Sequence, residues 1–184
     1  MEFNEQKALE IIKKYDLKKR TLQVWKNRGK IPDQYLNDEY EKPREFTAKE
    51  KRLFTIIRDF LKEGYFNLKP IAEMADLKYF TITDYLHKNF ITANNLNKLS
   101  KALKKERLDI QKFSSNYPEN PTDADSEKLR EFLRRPEFKL SGILNGYEHE
   151  RKVRDFKAGK QDIPSYIKRE VVQRLDKIAI QMNF

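Results

Sequence analysis

One frame of residues is written three times along this chain, and no other feature constrains its fold as much. A shift of 60 positions lays Leu17 on Leu77, Lys18 on Lys78, Thr21 on Thr81 and Leu22 on Ile82. The same shift lays Trp25 on Tyr85, Ile31 on Ile91 and Leu36 on Leu96. A shift of 131 lays Leu22 on Val153 and Trp25 on Phe156, and one extra residue in the next turn brings Ile31-Pro32 onto Ile163-Pro164. In each copy an aliphatic residue and an aromatic residue three positions later share one side of a helix. A tight break follows, and an isoleucine enters the core just ahead of the next helix. Self-similarity of this kind marks a repeated supersecondary unit.

The rest of the chain is written in the same helical period. Apolar residues recur three and four positions apart, strict alternation is rare, and the 184 residues include only five glycines and seven prolines. The expectation is an all-α protein of tandem helical units with no significant sheet. Helices are predicted over 4–15 and 18–27, with Gly29 suited to the left-handed cap position and Pro32 to the first turn of a new helix. Residues 38–46 are polar, contain Pro43 and read as a connector. Thr47 and Glu50 fit a capping box that opens a long helix closed by Gly64. Shorter helices are predicted at 69–75, 78–87 and 93–105. Residues 114–126, with two prolines, acids and no base, read as a linker. Four more helices follow at 127–134, 138–145, 149–157 and 165–182. The expected units are therefore 1–46, 47–113 and 127–184.

The phrases "LKKRTLQVWKNRGKIPDQYL", "IAEMADLKYFTITDYL" and "ITANNLNKLSKAL" resemble the helix-turn-helix of phage repressor and Cro-type DNA-binding proteins. The resemblance implies a scaffold helix, a short turn, a recognition helix and a helix that closes the core. It covers most of the chain in three pieces. The first copy departs from it, because it begins at its scaffold helix with no helix before it. That copy is expected to borrow packing from the middle unit or from another chain. The third copy has Gly146-Tyr147 in its turn and acids in its recognition helix, which weakens its claim on DNA.

Lys plus Arg number 39 against 29 Asp plus Glu, a net charge of +10, and an excess of that size favours a polyanionic partner. Residues 47–108 hold 13 bases and 7 acids and form the electrostatic anchor. On a helix over 18–27, Leu22 and Trp25 face one way. Lys19, Arg20, Gln23 and Asn27 face the other, with Lys26 beside them. Arg and Lys suit guanine edges and Gln suits adenine. Lys18, Lys26 and Arg28 lie near the helix ends and are assigned to phosphate. In the second copy the exposed set is Lys78, Tyr79, Phe80 and Thr83, beside Asp84. Its two aromatic residues fit thymine methyls and a protein contact equally well. Lys98, Lys101, Lys104 and Lys105 add a cationic strip. The third copy offers Arg151, Lys152, Arg154 and Lys157, but Glu150 and Asp155 among them repel phosphate. That unit suits a protein partner or a second copy of the chain, as in a homodimer.

Other function classes find little footing. The chain has two histidines, His87 and His149, and no cysteine. It has no zinc-helix motif, glycine-rich phosphate loop or G-x-S-x-G. Neither an enzyme, a metal nor a cofactor is expected. No apolar run is long enough to span a membrane and the N-terminus opens with acids, so the expected setting is cytoplasmic, on the nucleoid when bound. The expected function is a sequence-specific, repressor-like transcriptional regulator of phage or mobile-element type that binds double-stranded DNA. The alternatives are a DNA-binding replication, partition or packaging factor, and a protein-interaction module on a helix-turn-helix scaffold.

Overall fold

A computed structural model describes residues 3–37 and 45–184. Most of the expected connector 38–46 lies outside the described residues. Among those described the architecture is all-α, with eleven helices and one isolated antiparallel bridge between Phe66 and Phe138. No described helix is long and apolar enough to cross a membrane. The chain divides into two compact units, Met1–Arg44 and Glu45–Phe184.

The first unit holds α1 (Glu5–Lys14), α2 (Arg20–Arg28) and the short α3 (Asp33–Leu36). Asn4 caps α1 by accepting the Lys7 amide at 2.9 Å. Ala8, Ile11, Trp25 and Ile31 form its core, with Leu17, Leu22 and Tyr35 packed around them. The rings of Trp25 and Tyr35 lie 4.9 Å apart. The first copy of the frame therefore packs against its own preceding helix. Among the described residues no helix precedes α1, as expected for this copy, and its buried core is built from α1, α2 and Ile31.

The second unit runs α4 (Ala48–Lys62), α5 (Leu68–Met74), α6 (Tyr79–Lys88), α7 (Ala93–Asn116), α8 (Asp123–Arg134), α9 (Leu140–Ile143), α10 (Glu150–Lys157) and α11 (Ser165–Gln181). The Thr47–Glu50 capping box is formed, and Thr122 with Asp125 makes a second one at the start of α8. One continuous core runs from Ile57 to Met182, through Tyr85, Leu99, Leu103, Leu129 and Phe156. Residues 47–113 and 127–184 are therefore not separate domains, and 114–126 is not a linker. The apolar side of α7 continues through Ile110 and Phe113, which carries the helix on to Asn116. Phe113 stacks on Phe132 of α8 with ring centroids 4.0 Å apart. Ser114 turns its hydroxyl back to the Ile110 carbonyl at 2.9 Å, so its polar group is satisfied inside the helix. Only the short stretch between Asn116 and Asp123 is a turn, and it joins two packed helices.

The repeated frame is a repeated conformation. Asp16 and Asp76 both take left-handed backbone, with φ of 50° and 51°. The Leu17 amide donates to the Ile12 carbonyl at 2.9 Å, and the Leu77 amide to that of Ala72 at 2.9 Å. The Thr21 amide donates to Lys18 at 2.8 Å, and the Thr81 amide to Lys78 at 2.9 Å. Aspartate is one of the few side chains that tolerates this backbone region, because its short polar group bonds locally. In the third copy the left-handed residue is Gly146, with φ of 68°, one position earlier in the frame. Trp25, Tyr85 and Phe156 are all buried, and so are Ile31, Ile91 and Ile163.

Candidate nucleic-acid interface

The best-formed candidate lies on α2. Trp25 is 3% exposed and pins the inner side of the helix. All seven residues expected to meet DNA here, Lys18, Lys19, Arg20, Gln23, Lys26, Asn27 and Arg28, are exposed. Arg20, Gln23 and Asn27 follow one another at three- and four-residue spacing, so they line one outward strip. The Gln23 amide donates to Asn27 Oδ1 at 2.8 Å, which orients both groups and leaves the Asn27 amide outward as a donor. Lys26 Nζ sits 3.0 Å from Glu5 of α1. Both side chains of that pair are half exposed, so it stabilises by only about 0.2–1 kcal/mol and a phosphate can displace the carboxylate. Two neighbours escape sequence reasoning. Val24, 43% exposed, is an apolar spot on the outward side of α2, and Lys30 is an exposed cation just past its end. Val24 is an aliphatic residue at helical spacing and reads as core until its direction is known.

In the second copy Lys78 caps α6, and its ammonium lies 5.8 Å from the centre of the Phe80 ring. Tyr79 and Phe80 are 51% and 59% exposed. Thr83 is half-buried and donates its hydroxyl to the Phe80 carbonyl at 3.0 Å, so it keeps only acceptor capacity toward a partner. Phe90, just after α6, is 63% exposed and enlarges the apolar surface of this copy. Nothing in its sequence setting separates it from a core residue. Lys98 is not a free member of the expected cationic strip. It pairs with Asp76 at 2.7 Å, and that hydrogen bond and charge hold the Asp76 carboxyl below its usual range. The pair ties α7 to the turn before α6. Lys101, Lys104 and Lys105 are exposed along α7.

The third copy is less cationic than a count of its bases suggests. Arg151 and Lys152 are exposed, while Arg154 pairs with Glu150 one turn earlier. Lys157 is half-buried, and burial together with the Arg134 charge shifts its ammonium toward the neutral form. Its backbone carbonyl accepts from Arg134 Nε at 2.9 Å. Lys157 is thus part of the α8–α10 packing and a poor phosphate ligand. Of the fifteen candidates, the structure brings seven together on and beside α2. It leaves three outward at the start of α6 and two on α10, and it engages Thr83, Arg154 and Lys157 within the protein.

Comparison with protein-family models, curated proteins and solved structures gave no match for the chain.

Proposed function

We propose that the chain is a sequence-specific double-stranded DNA-binding protein of the repressor-like, helix-turn-helix kind, and that α2 is its principal reading helix. One observation carries this reading: a helix held through its buried indole presents an outward side of cations and amides, with Val24 the one apolar residue among them. Such a side meets base edges with Arg20, Gln23 and Asn27, while Lys18, Lys19, Lys26 and Arg28 serve phosphate. Left-handed residues at Asp16 and Gly29 set the turn before α2 and cap its far end. The net charge of +10 adds a sequence-independent, salt-sensitive attraction to any duplex.

A second reading has its own observation. Tyr79, Phe80 and Phe90 leave three aromatic rings outward in the second copy, and exposed aromatic residues also serve protein partners. One comparison separates the two. Sequences bound by the purified chain are selected from random duplexes, and Arg20→Ala is then measured on the selected site and on an unrelated duplex. A base contact weakens the selected site by about 1–3 kcal/mol and the unrelated duplex much less. Equal losses reduce Arg20 to a phosphate contact. No binding to any duplex in dilute buffer removes the DNA reading and leaves the protein-interaction one.

A further inference from the structure

The Glu45–Phe184 unit contains a symmetry that the three-copy frame does not reveal. Its helices fall into two sets of four, α4–α7 and α8–α11, and the second set repeats the first at a shift of 72 positions, with α10 following α6 at 71, so that buried Ile82 and Tyr85 match buried Val153 and Phe156. Buried Ile57 and Leu61 of α4 match buried Leu129 and Leu133 of α8. Buried Ile71 matches Ile143, and Ile91 matches Ile163. On α7 the buried residues Leu99, Leu103 and Ile110 match Val171, Leu175 and Met182 of α11. Arg58 of α4 and its counterpart Arg130 of α8 each reach toward the end of the third helix of their set, Arg58 to the Asn89 side chain at 2.6 Å and Arg130 to the Phe156 carbonyl at 2.9 Å.

The two sets meet through equivalent residues. Phe66 faces Phe138 in the antiparallel bridge. The Asn67 amide donates to the Glu137 carbonyl at 2.8 Å, and the Lys139 amide donates to the Tyr65 carbonyl at 2.9 Å. Residues 65, 66 and 67 are thus paired with 139, 138 and 137, their own equivalents in reversed order. That arrangement is the signature of a twofold axis through the Phe66–Phe138 pair. The helices α7 and α11, equivalent to each other, form the largest helix–helix contact in the unit.

We infer that residues 45–184 are a dimer fused into one chain, and that a single chain lays α6 and α10 on two half-sites of one duplex, arranged head to head. The inference rests on the DNA-binding reading above. A twofold axis relates two reading helices in opposite directions along a duplex, so the half-sites they read are inverted. The two half-sites differ in sequence because the two helices differ. The outward residues at the start of α6 are Lys78, Tyr79 and Phe80; the two rings suit thymine methyls and the lysine suits phosphate. Those of α10 include Arg151 and Lys152, which suit guanine and phosphate. A site read this way is long and asymmetric, and it needs no second chain to complete it.

The test makes the two reading helices alike. In the full chain, Tyr79→Glu, Phe80→Arg, Thr81→Lys and Thr83→Arg give α6 the residues that α10 carries at Glu150, Arg151, Lys152 and Arg154. Bound sequences are then selected from random duplexes, and the number of chains per duplex is weighed by native mass spectrometry. Besides the sequence read by α2, the expected outcome is one motif appearing twice in inverted orientation, its centres about 10 base pairs or a multiple apart, with one chain per duplex. The motif repeated in the same direction, a single motif, or two chains per duplex overturns the fused-dimer inference and leaves DNA binding standing. If the four-fold variant loses its helical signal, Phe80→Ala and Arg151→Ala in separate chains decide instead. Each must weaken protection at a different end of the wild-type footprint, and weakening at the same end overturns the inference. A wild-type chain that binds no duplex removes both the inference and the reading beneath it.

Discussion

Replacing Ile31 by alanine separates the two units of the chain. Ile31 is 7% exposed and is one of four buried residues, with Ala8, Ile11 and Trp25, in the core of the first unit. The substitution deletes three carbon atoms. At ~0.8 kcal/mol for each buried methylene the transfer loss is about 2.4 kcal/mol, and the cavity left behind raises the total to about 3 kcal/mol. A unit of this size has a stability of only about 2–7 kcal/mol at ~0.05–0.15 kcal/mol per residue. The loss therefore removes between about two-fifths and all of what holds it folded. The chain has a single tryptophan, Trp25, so its fluorescence reports on this unit alone. In a urea titration the Ile31→Ala chain should show the Trp25 emission shifting red at a much lower midpoint, or already shifted in buffer. Far-UV circular dichroism should lose only the contribution of the 10, 9 and 4 residues of α1, α2 and α3, with the later transition unchanged. Duplex affinity should fall at the same time, because α2 depends on this core for its orientation. An unchanged emission maximum and midpoint would refute the packing of Ile31 against Trp25.

Two further outcomes concern the second unit. A methyl group on Gly142 would lie 2.1 Å from the Gly64 carbonyl oxygen and 2.7 Å from its carbon, so Gly142→Ala must push apart the backbones beside the Phe66–Phe138 bridge. It should destabilise by about 1–3 kcal/mol or more, seen as a lower midpoint in the circular-dichroism transition with Trp25 fluorescence untouched. A neutral effect would argue against that close approach. Glu106 is fully buried, and burial pushes its carboxyl up to about 7. Arg135 opposes that shift, while Glu137 and Asp109 add to it. In the unfolded chain the group titrates near 4.5, so between that pH and 7 the folded state holds the extra proton. Stability of this unit should rise as pH falls from about 8 to about 5, and Glu106→Gln should flatten that dependence. A wild-type chain whose stability does not change over this range would contradict the assignment.

Much of this fold is legible in the sequence because burial follows helical period. The spacing of Leu22 to Trp25, Ile82 to Tyr85 and Val153 to Phe156 places the inner face of all three helices correctly. Thr47 with Glu50 marks a helix start through local hydrogen bonding, and that signal needs no tertiary context. The end of α7 is hidden because Ser114, Ser115 and Asn116 carry loop-like composition while Ile110 and Phe113 continue the apolar face beneath them. The 72-residue symmetry is hidden because matched core positions differ in chemistry: Leu96 stands opposite Lys168, and Glu106 opposite Ile178. Lys168 is buried through bonds to Ser126 and Asp162 at 2.7 Å each, and Glu106 through Arg135 at 2.6 Å. Such partners come from other helices, so periodicity does not announce them. The candidate site divides the same way. The outward direction of Arg20, Gln23 and Asn27 follows from the wheel. The engagement of Lys26 by Glu5, Thr83 by a carbonyl and Arg154 by Glu150 follows from side-chain reach.

The most direct measurement is an amide NMR titration of the full chain with a short duplex of its selected sequence in dilute salt. If the outward side of α2 enters a groove, the amides from Lys18 to Arg28 shift together, and the shifts fade as salt is raised. Amides of that segment that stay in place while the duplex binds elsewhere, or a duplex that perturbs nothing, would contradict it.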